Sequence, residues 1–270
     1  MQATTPGSSG SQRPNFLNFQ VDHMTMLMTP EMYNVYYLVF RIVFGCSPND
    51  IIYEKRKEWV AGTGEKSLTY ALNLGDAVET DRAINKTLVA AVQPSEPVSS
   101  PSHVRSMLSE HKAASHWQHV ALRTPDLIKF HEHALSLGVR FVTPIMRDTD
   151  EDVIQVFSGE WYHRNSHPSA LFFEFVQRDV TPELLKKMEE RNRETLFRDK
   201  TFLGLYGVKE KEYQSGKITP FIDFSVFDRL YDLVGNKNQW EITEDDVSRA
   251  EEVMRTHADK YPGVQENWST

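Results

Sequence analysis

Cysteine is nearly absent. Cys46 is the single one in 270 residues, which excludes an internal disulfide and fits a reducing compartment. No apolar run approaches the roughly 18 residues of a membrane span. A basic surplus is missing too. The formal net charge is -8, which argues against a broad footprint for nucleic acid or anionic membrane. Residues 1–15 carry Ser, Gly and Pro but no apolar h-region, so the expectation there is a flexible tail and not a secretory signal. Cytoplasmic residence is the default expectation.

What is present is a soluble composition with 40% hydrophobic residues, enough for a large core. The chain reads as two units of one design. Phe16 to Met28 alternates as a strand with Val21, His23 and Thr25 on one face. Glu31 to Phe44 follows Pro30 as a helix, apolar nearly all round and therefore expected to be largely buried. Ile51–Tyr53, Ser67–Leu74 and Thr87–Val92 are three strand candidates. A stretch rich in proline and serine, Gln93 to Pro101, then reads as a linker or a cover over a cleft. A short helix is expected over Ser102 to His111.

The second unit repeats the order. His116–Arg123 is a strand. Thr124 is the expected N-cap of a helix carrying Leu127, Phe130, Ala134 and Leu137, closed by Gly138. Val139–Val142, Val153–Phe157 and Leu171–Val176 are its three strands. The expected domain thus covers 16–180, with modules over about 16–95 and 116–180. A mainly helical extension occupies 181–270: a charged helix opens at Thr181-Pro182-Glu183, and Thr243 with Asp246 caps a last helix bearing Val247, Ala250 and Met254 inward. The acidic run Asp148 to Asp152 lacks an EF-hand's spacing and reads as a solvated hairpin turn.

Three strand residues are metal-capable: His23, His119 and Glu174. Each histidine alone reads equally as a structural or surface residue. Glu174 says more, because it stands inside Leu171-Phe172-Phe173-Glu174-Phe175-Val176 with apolar neighbours on both faces. A buried carboxylate there needs a metal or an ion pair, for example with Arg123. Two histidines and one carboxylate make the facial ligand set of non-haem Fe(II) sites. His116 is a competing ligand if the strand register differs. His111 also precedes that strand, and His131, His133, His163 and His167 read as surface residues.

Gln118-His119-Val120-Ala121-Leu122, Ile154-Gln155-Val156-Phe157 and Leu171 to Arg178, preceded by Val21-Asp22-His23, together resemble the catalytic half of the 4-hydroxyphenylpyruvate dioxygenase family. The resemblance covers about Phe16 to Asp179. It implies an α+β architecture of paired βαβββ modules, the vicinal oxygen chelate open barrel. It implies Fe(II) held by His23, His119 and Glu174, with O2 as co-substrate and oxidative decarboxylation of a small 2-oxo acid. Gln118, Gln155 and Phe157 match pocket-lining positions, although Gln118 needs a twist or bulge to turn inward beside His119. Departures fall around the ligands. Asn73 stands where the family has a serine. Ser95-Glu96-Pro97 replaces Asn-Glu-Pro, and Ser102-His103 replaces Ser-Gln. Thr219 to Phe224 takes the place of a Gly-rich gate, so that Phe221 and Phe224 line the pocket or belong to the core. Asn73, Ser95 and His103 therefore point to a different, aromatic or related, oxo acid. A homodimer is left open. Other reactions of the same fold (ring cleavage, lyase or isomerase) and a non-catalytic binding role are the alternatives.

Overall fold

The computed structural model describes residues 13–58, 66–75, 78–79, 84–85, 87–96, 102–148, 153–178, 181–183 and 201–260. One eight-stranded sheet forms in the order β2-β3-β6-β1-β7-β10-β9-β8. Its first half comprises β1 (Gln20–Met28), β2 (Ile51–Glu58), β3 (Lys66–Asn73) and β6 (Leu88–Glu96), with helix α1 (Pro30–Val43) between β1 and β2. A two-stranded hairpin, β4 (Val78–Glu79) with β5 (Ile84–Asn85), interrupts β3 and β6. The second half comprises β7 (Ser115–Arg123), α3 (Leu127–Ser136), β8 (Met146–Asp148), β9 (Val153–Glu160) and β10 (Phe172–Gln177). Between the halves lies α2 (His103–Glu110); after them come α4 (Thr201–Ser215), α5 (Phe224–Val234) and α6 (Glu244–Lys260).

Each half buries apolar side chains on both faces of its strands. On the outer face, Met28, Tyr70, Leu72, Val89 and Ala91 pack under α1, and Ile154, Val156 and Phe175 pack under α3. On the inner face, Leu27 and Val92 meet Val104, Met107 and Leu108 of α2, while Phe157 and Phe172 meet Leu205 of α4. The opening strands β1 and β7 pair antiparallel at the centre of the sheet, which brings the two modules together around their midpoint.

A latch of buried charges holds α4 on this inner face. Lys209 Nζ donates to Glu160 Oε1 at 3.0 Å and Glu212 Oε2 at 2.9 Å, and the Tyr213 hydroxyl reaches Glu160 Oε1 at 3.3 Å. The other Glu160 oxygen accepts the Ala170 N–H at 2.9 Å. Such a cluster is tolerated in a dry interior because each charged atom finds a partner.

Several expectations change. Helix α1 forms where the pattern puts it, with Thr29 accepting the Met32 N–H and Pro30 in the first turn. It is not largely buried, however. Phe40 is its one buried residue, while Val35, Leu38 and Ile42 are 54%, 56% and 78% exposed. Its inward Met32, Tyr33, Tyr36, Tyr37 and Phe40 already fill the space over the sheet. In α3 the N-cap is Asp126, which accepts the Lys129 N–H, and not Thr124. Thr124 instead donates to the Phe16 carbonyl and accepts the Asp126 N–H, tying the start of the chain to the turn.

Val139–Val142 does not form a strand. Val139 and Phe141 make single bridges to Ile222 and Ser158, and continuous pairing starts at Met146, after Pro144. The Thr219–Ile222 segment fills that edge of the sheet, running so close to Gly159 that a Cβ there would collide with the Pro220 carbonyl. Thr243 and Asp246 cap α6 as expected, but Val247 is exposed and Asp246 and His257 are buried instead. Residues 149–152 of the acidic run, and residues 184–200 of the charged helix, lie outside the described residues. Among the described residues, no helix is long and apolar enough to cross a membrane.

Candidate metal centre

β1, β7 and β10 lie side by side, and parallel pairing of β10 with β7 sets Glu174 against Ala121, two residues beyond His119. Antiparallel pairing sets His23 against the same Ala121. Three neighbouring strands thus aim His23, His119 and Glu174 at one point on the inner face. Their donor atoms form a near-equilateral triangle: His119 Nε2 to Glu174 Oε2 is 3.1 Å, His23 Nε2 to Glu174 Oε2 is 3.3 Å, and the two Nε2 atoms are 3.3 Å apart. Ligands about 2.0–2.2 Å from one ion stand roughly 3 Å from each other, so the triangle has the right size for a metal. This is the one such His/Cys/Asp/Glu group among the described residues.

The electrostatics fit as well. Burial opposes a charge on Glu174, but the His23 charge and hydrogen bonds from both imidazoles hold its carboxyl down at about 2. Burial likewise opposes charge on His23, yet Glu174 and Asp22 together push it up to about 10. Burial lowers His119. The buried Glu174 carboxylate therefore draws positive charge towards the triangle, a role that a bound cation can take over. The ion pair of Glu174 with Arg123 does not form; its partners are the two histidines.

The register also identifies what faces the triangle. Ala90 pairs with Thr25, two residues beyond His23, just as Glu174 pairs with Ala121, two residues beyond His119. Ala90 is thus the first module's counterpart of Glu174, and it offers only a methyl group. That side of the site has no fourth protein ligand at this position.

Of the other pocket candidates, Gln118 is buried, with Oε1 3.2 Å from His119 Nδ1 and Nε2 3.3 Å from His103 Nε2. His103 is fully buried at the start of α2; burial and then the Lys209 charge hold it down at about 3, so it is neutral. Phe157 and Phe172 pack beside the His119 ring, with centroids at 6.2 Å and 5.3 Å. Gln155 is buried on the same strand face as Phe157. Asn73 ends β3, half-buried, and its carbonyl accepts from Cys46. Ser95 falls in β6, with its side chain outside the described ones. Phe221 packs at a tilt on Trp161 and edge-on to Phe173 in the outer core, and Phe224 packs on Tyr162 under Arg164. Neither ring joins the triangle. His116 stacks on His111 away from it.

Two contributors, Asp22 and Arg178, were given no role of their own from the sequence. Asp22 accepts from His23 Nδ1 at 3.0 Å, and Arg178 grips Asp22 with two bonds of 2.6 and 2.7 Å. Burial alone would raise the Asp22 carboxyl, but Arg178 and His23 hold it well below the usual range. Adjacency of Asp22 to His23 was the available signal.

No family model matches the chain, and no curated protein matches it either. Among solved structures, a triple mutant of 4-hydroxymandelate synthase from Streptomyces coelicolor aligns over 78% of this chain with 14% identity and a TM-score of 0.51. The chain spans 59% of that protein's length. Methylmalonyl-CoA epimerases also align: one from S. coelicolor over 59% of this chain and 96% of its own, at 15% identity and TM-score 0.39. The Mycobacterium tuberculosis epimerase covers 62% and 91%, at 18% identity and 0.38. The fold is the vicinal oxygen chelate fold: a curled mixed sheet of eight strands with helices packed on it.

Proposed function

We propose that the chain is an Fe(II)-dependent dioxygenase that oxidatively decarboxylates an aromatic or related 2-oxo acid. The observation that carries this reading is the triangle of His23, His119 and Glu174 with Ala90 in the position of a fourth ligand. Two neutral nitrogens and one carboxylate hold a divalent ion while leaving it a positive charge, which suits an anionic chelating substrate. Bound there, iron supplies the redox chemistry with O2 that no amino-acid side chain provides.

The chain's own residues then have three tasks. His23, His119 and Glu174 hold the metal. Ala90 presents only a methyl group at the register position that mirrors Glu174, so no protein ligand fills that side of the metal. Phe157, Phe172 and Leu205 close the other side with apolar surface, which limits water near the oxidant. The resemblance of the β7, β9 and β10 sequences to the 4-hydroxyphenylpyruvate dioxygenase family supports the oxo-acid substrate class.

The test is oxygen uptake by protein purified without air and loaded with Fe(II), measured across a panel of 2-oxo acids with carbon dioxide collected. Uptake matched by carbon dioxide release is the expected result. Uptake of O2 by catechols without carbon dioxide release would replace this reading with ring cleavage. Absence of bound metal in the presence of Fe(II) or Zn(II) would remove the metal site altogether.

A further inference from the structure

The ladder between β1 and β7 slips twice, once beside each histidine. Val21 faces Leu122 and His23 faces Ala121, so Asp22 is an extra residue in β1. Thr25 faces His119 and Met26 faces Trp117, so Gln118 is an extra residue in β7. A bulge breaks the strict alternation of a strand and re-aims a side chain. Without the slips, Asp22 and Gln118 would point away from the face that carries their neighbours.

Instead, each extra residue turns onto Nδ1 of the histidine that follows it. Asp22 Oδ1 lies 3.0 Å from His23 Nδ1, and Gln118 Oε1 lies 3.2 Å from His119 Nδ1. Each is braced from behind, Asp22 by Arg178 and Gln118 by His103. The same local device therefore occurs at both ligands, in different sequence and with different bracing.

We propose that Asp22 and Gln118 are twin positioning residues, each set by a β-bulge to hold Nδ1 of its histidine and so present Nε2 to the metal. The inference rests on the metal-site reading above and adds the groups that hold its ligands. Asp22 offers only acceptor oxygens, so His23 carries its proton on Nδ1 and its lone pair on Nε2. Gln118 has both a donor and an acceptor end, and its bracing decides between them. Its NH2 lies on His103 Nε2, which leaves Oε1 to accept the His119 Nδ1 proton. His103 Nδ1 in turn lies 3.8 Å from Glu210 Oε2, beyond hydrogen-bond reach, so the nearby carboxylate favours a proton on that side through charge alone. A flipped amide would push the His119 proton onto Nε2, where the metal must bind. Partners of this kind fix ring orientation and ligand basicity at metal sites generally.

The experiment is zinc affinity by chelator competition on the full chain, together with 15N-edited spectra of the imidazoles in the zinc-loaded protein. Asp22→Leu and Gln118→Leu are each expected to weaken zinc binding about 10–100-fold. Asp22→Asn, which keeps an acceptor oxygen, is expected to recover most of the loss at His23. His103→Leu, with Gln118 untouched, is expected to weaken binding about 3–10-fold by freeing the amide to flip. In the wild-type spectra both histidines show a slowly exchanging Nδ1 proton, and each leucine variant loses the one beside it. Wild-type affinity with both Nδ1 signals intact in the leucine variants overturns the proposal. If a leucine variant does not fold, His103→Leu decides: wild-type affinity there overturns the amide assignment. A wild-type protein that binds no zinc would instead remove the metal site on which the inference stands.

Discussion

The two modules share an architecture but divide the work unequally. In the second, β10 carries Glu174 against the strand of His119; in the first, β6 carries Ala90 at the matching register. The outer helix α3 is covered by α6, with Arg255 donating to Ser136 at 3.2 Å and Gly138 packed against Met254 and Ala258. Its counterpart α1 leaves Val35, Leu38 and Ile42 bare among the described residues. On the inner face, α4 closes the second module through buried charges, whereas α2 closes the first largely through apolar contacts. The first module supplies one residue of the triangle, His23, and the second supplies two, His119 and Glu174. Asymmetry at a few register positions separates a site that can take substrate from one that only stores a metal.

The largest effect should come from exchanging the residues that distinguish the modules. Glu174→Ala removes the anionic ligand and should abolish both metal retention and turnover, read as metal content after gel filtration and as O2 uptake. Ala90→Glu does the reverse: it places a carboxylate at the twin position, where it can fill the space that substrate needs. That variant should retain its metal and lose turnover. Equal metal loss in both variants would contradict the register equivalence.

Breaking the latch comes next. Lys209→Met leaves Glu160 and Glu212 buried without their cation, and removing one partner of a buried pair costs about 3–5 kcal/mol. Urea unfolding should show that loss. Phe172 lies under the Lys209 ammonium at 4.9 Å and against the His119 ring at 5.3 Å, so zinc affinity should fall along with stability. Met107→Ala in α2, on the apolar side of the comparison, should cost about 2–5 kcal/mol and leave zinc affinity of the folded protein unchanged.

A smaller contrast separates the charged bulge from the neutral one. The Asp22 carboxyl is held below its ordinary range by Arg178 and His23. A depressed pKa contributes stability that is present above the unfolded value of about 3.9 and is lost as pH falls through the folded one. In metal-free protein, the difference in melting temperature between wild type and Asp22→Asn should therefore be full near neutrality and shrink below about pH 4. The corresponding difference for Gln118→Leu should be flat over that interval, because an amide does not titrate. A flat Asp22 difference would mean that Arg178 and His23 do not hold that carboxylate in solution.

Most of the strands, and the grouping of His23, His119 and Glu174, were legible in the sequence because they depend on local signals. Period-two alternation marked β1, a run apolar on both faces marked β10, and Glu174 stood out as a carboxylate that such a strand cannot leave unpartnered. The roles of Asp22 and Arg178 were not found, since they depend on register: a one-residue slip decides where Asp22 points, and partners as distant as Arg178 leave no mark nearby. Val139–Val142 was misread as a strand for a related reason. Its apolar pattern is satisfied by single bridges to Ile222 and Ser158, one of them from the far end of the chain. The dense apolar pattern of α1 promised burial but could not say whether anything covers the outer face.

That last difference supplies the smallest expected effect. Ile42 is 78% exposed on α1, so Ile42→Lys removes no described contact, and a surface substitution of this kind stays within about 0.5 kcal/mol. Phe130 on α3 is buried against Phe19 and Phe175, with centroids at 5.0 and 4.4 Å. Phe130→Ala should cost about 3–5 kcal/mol. The pair measures how far the matched helices differ in cover. A loss of 2 kcal/mol or more for Ile42→Lys would mean that α1 is covered in solution. If that loss grew with protein concentration, the cover would be a second copy of the chain, because only an associating species makes stability depend on concentration.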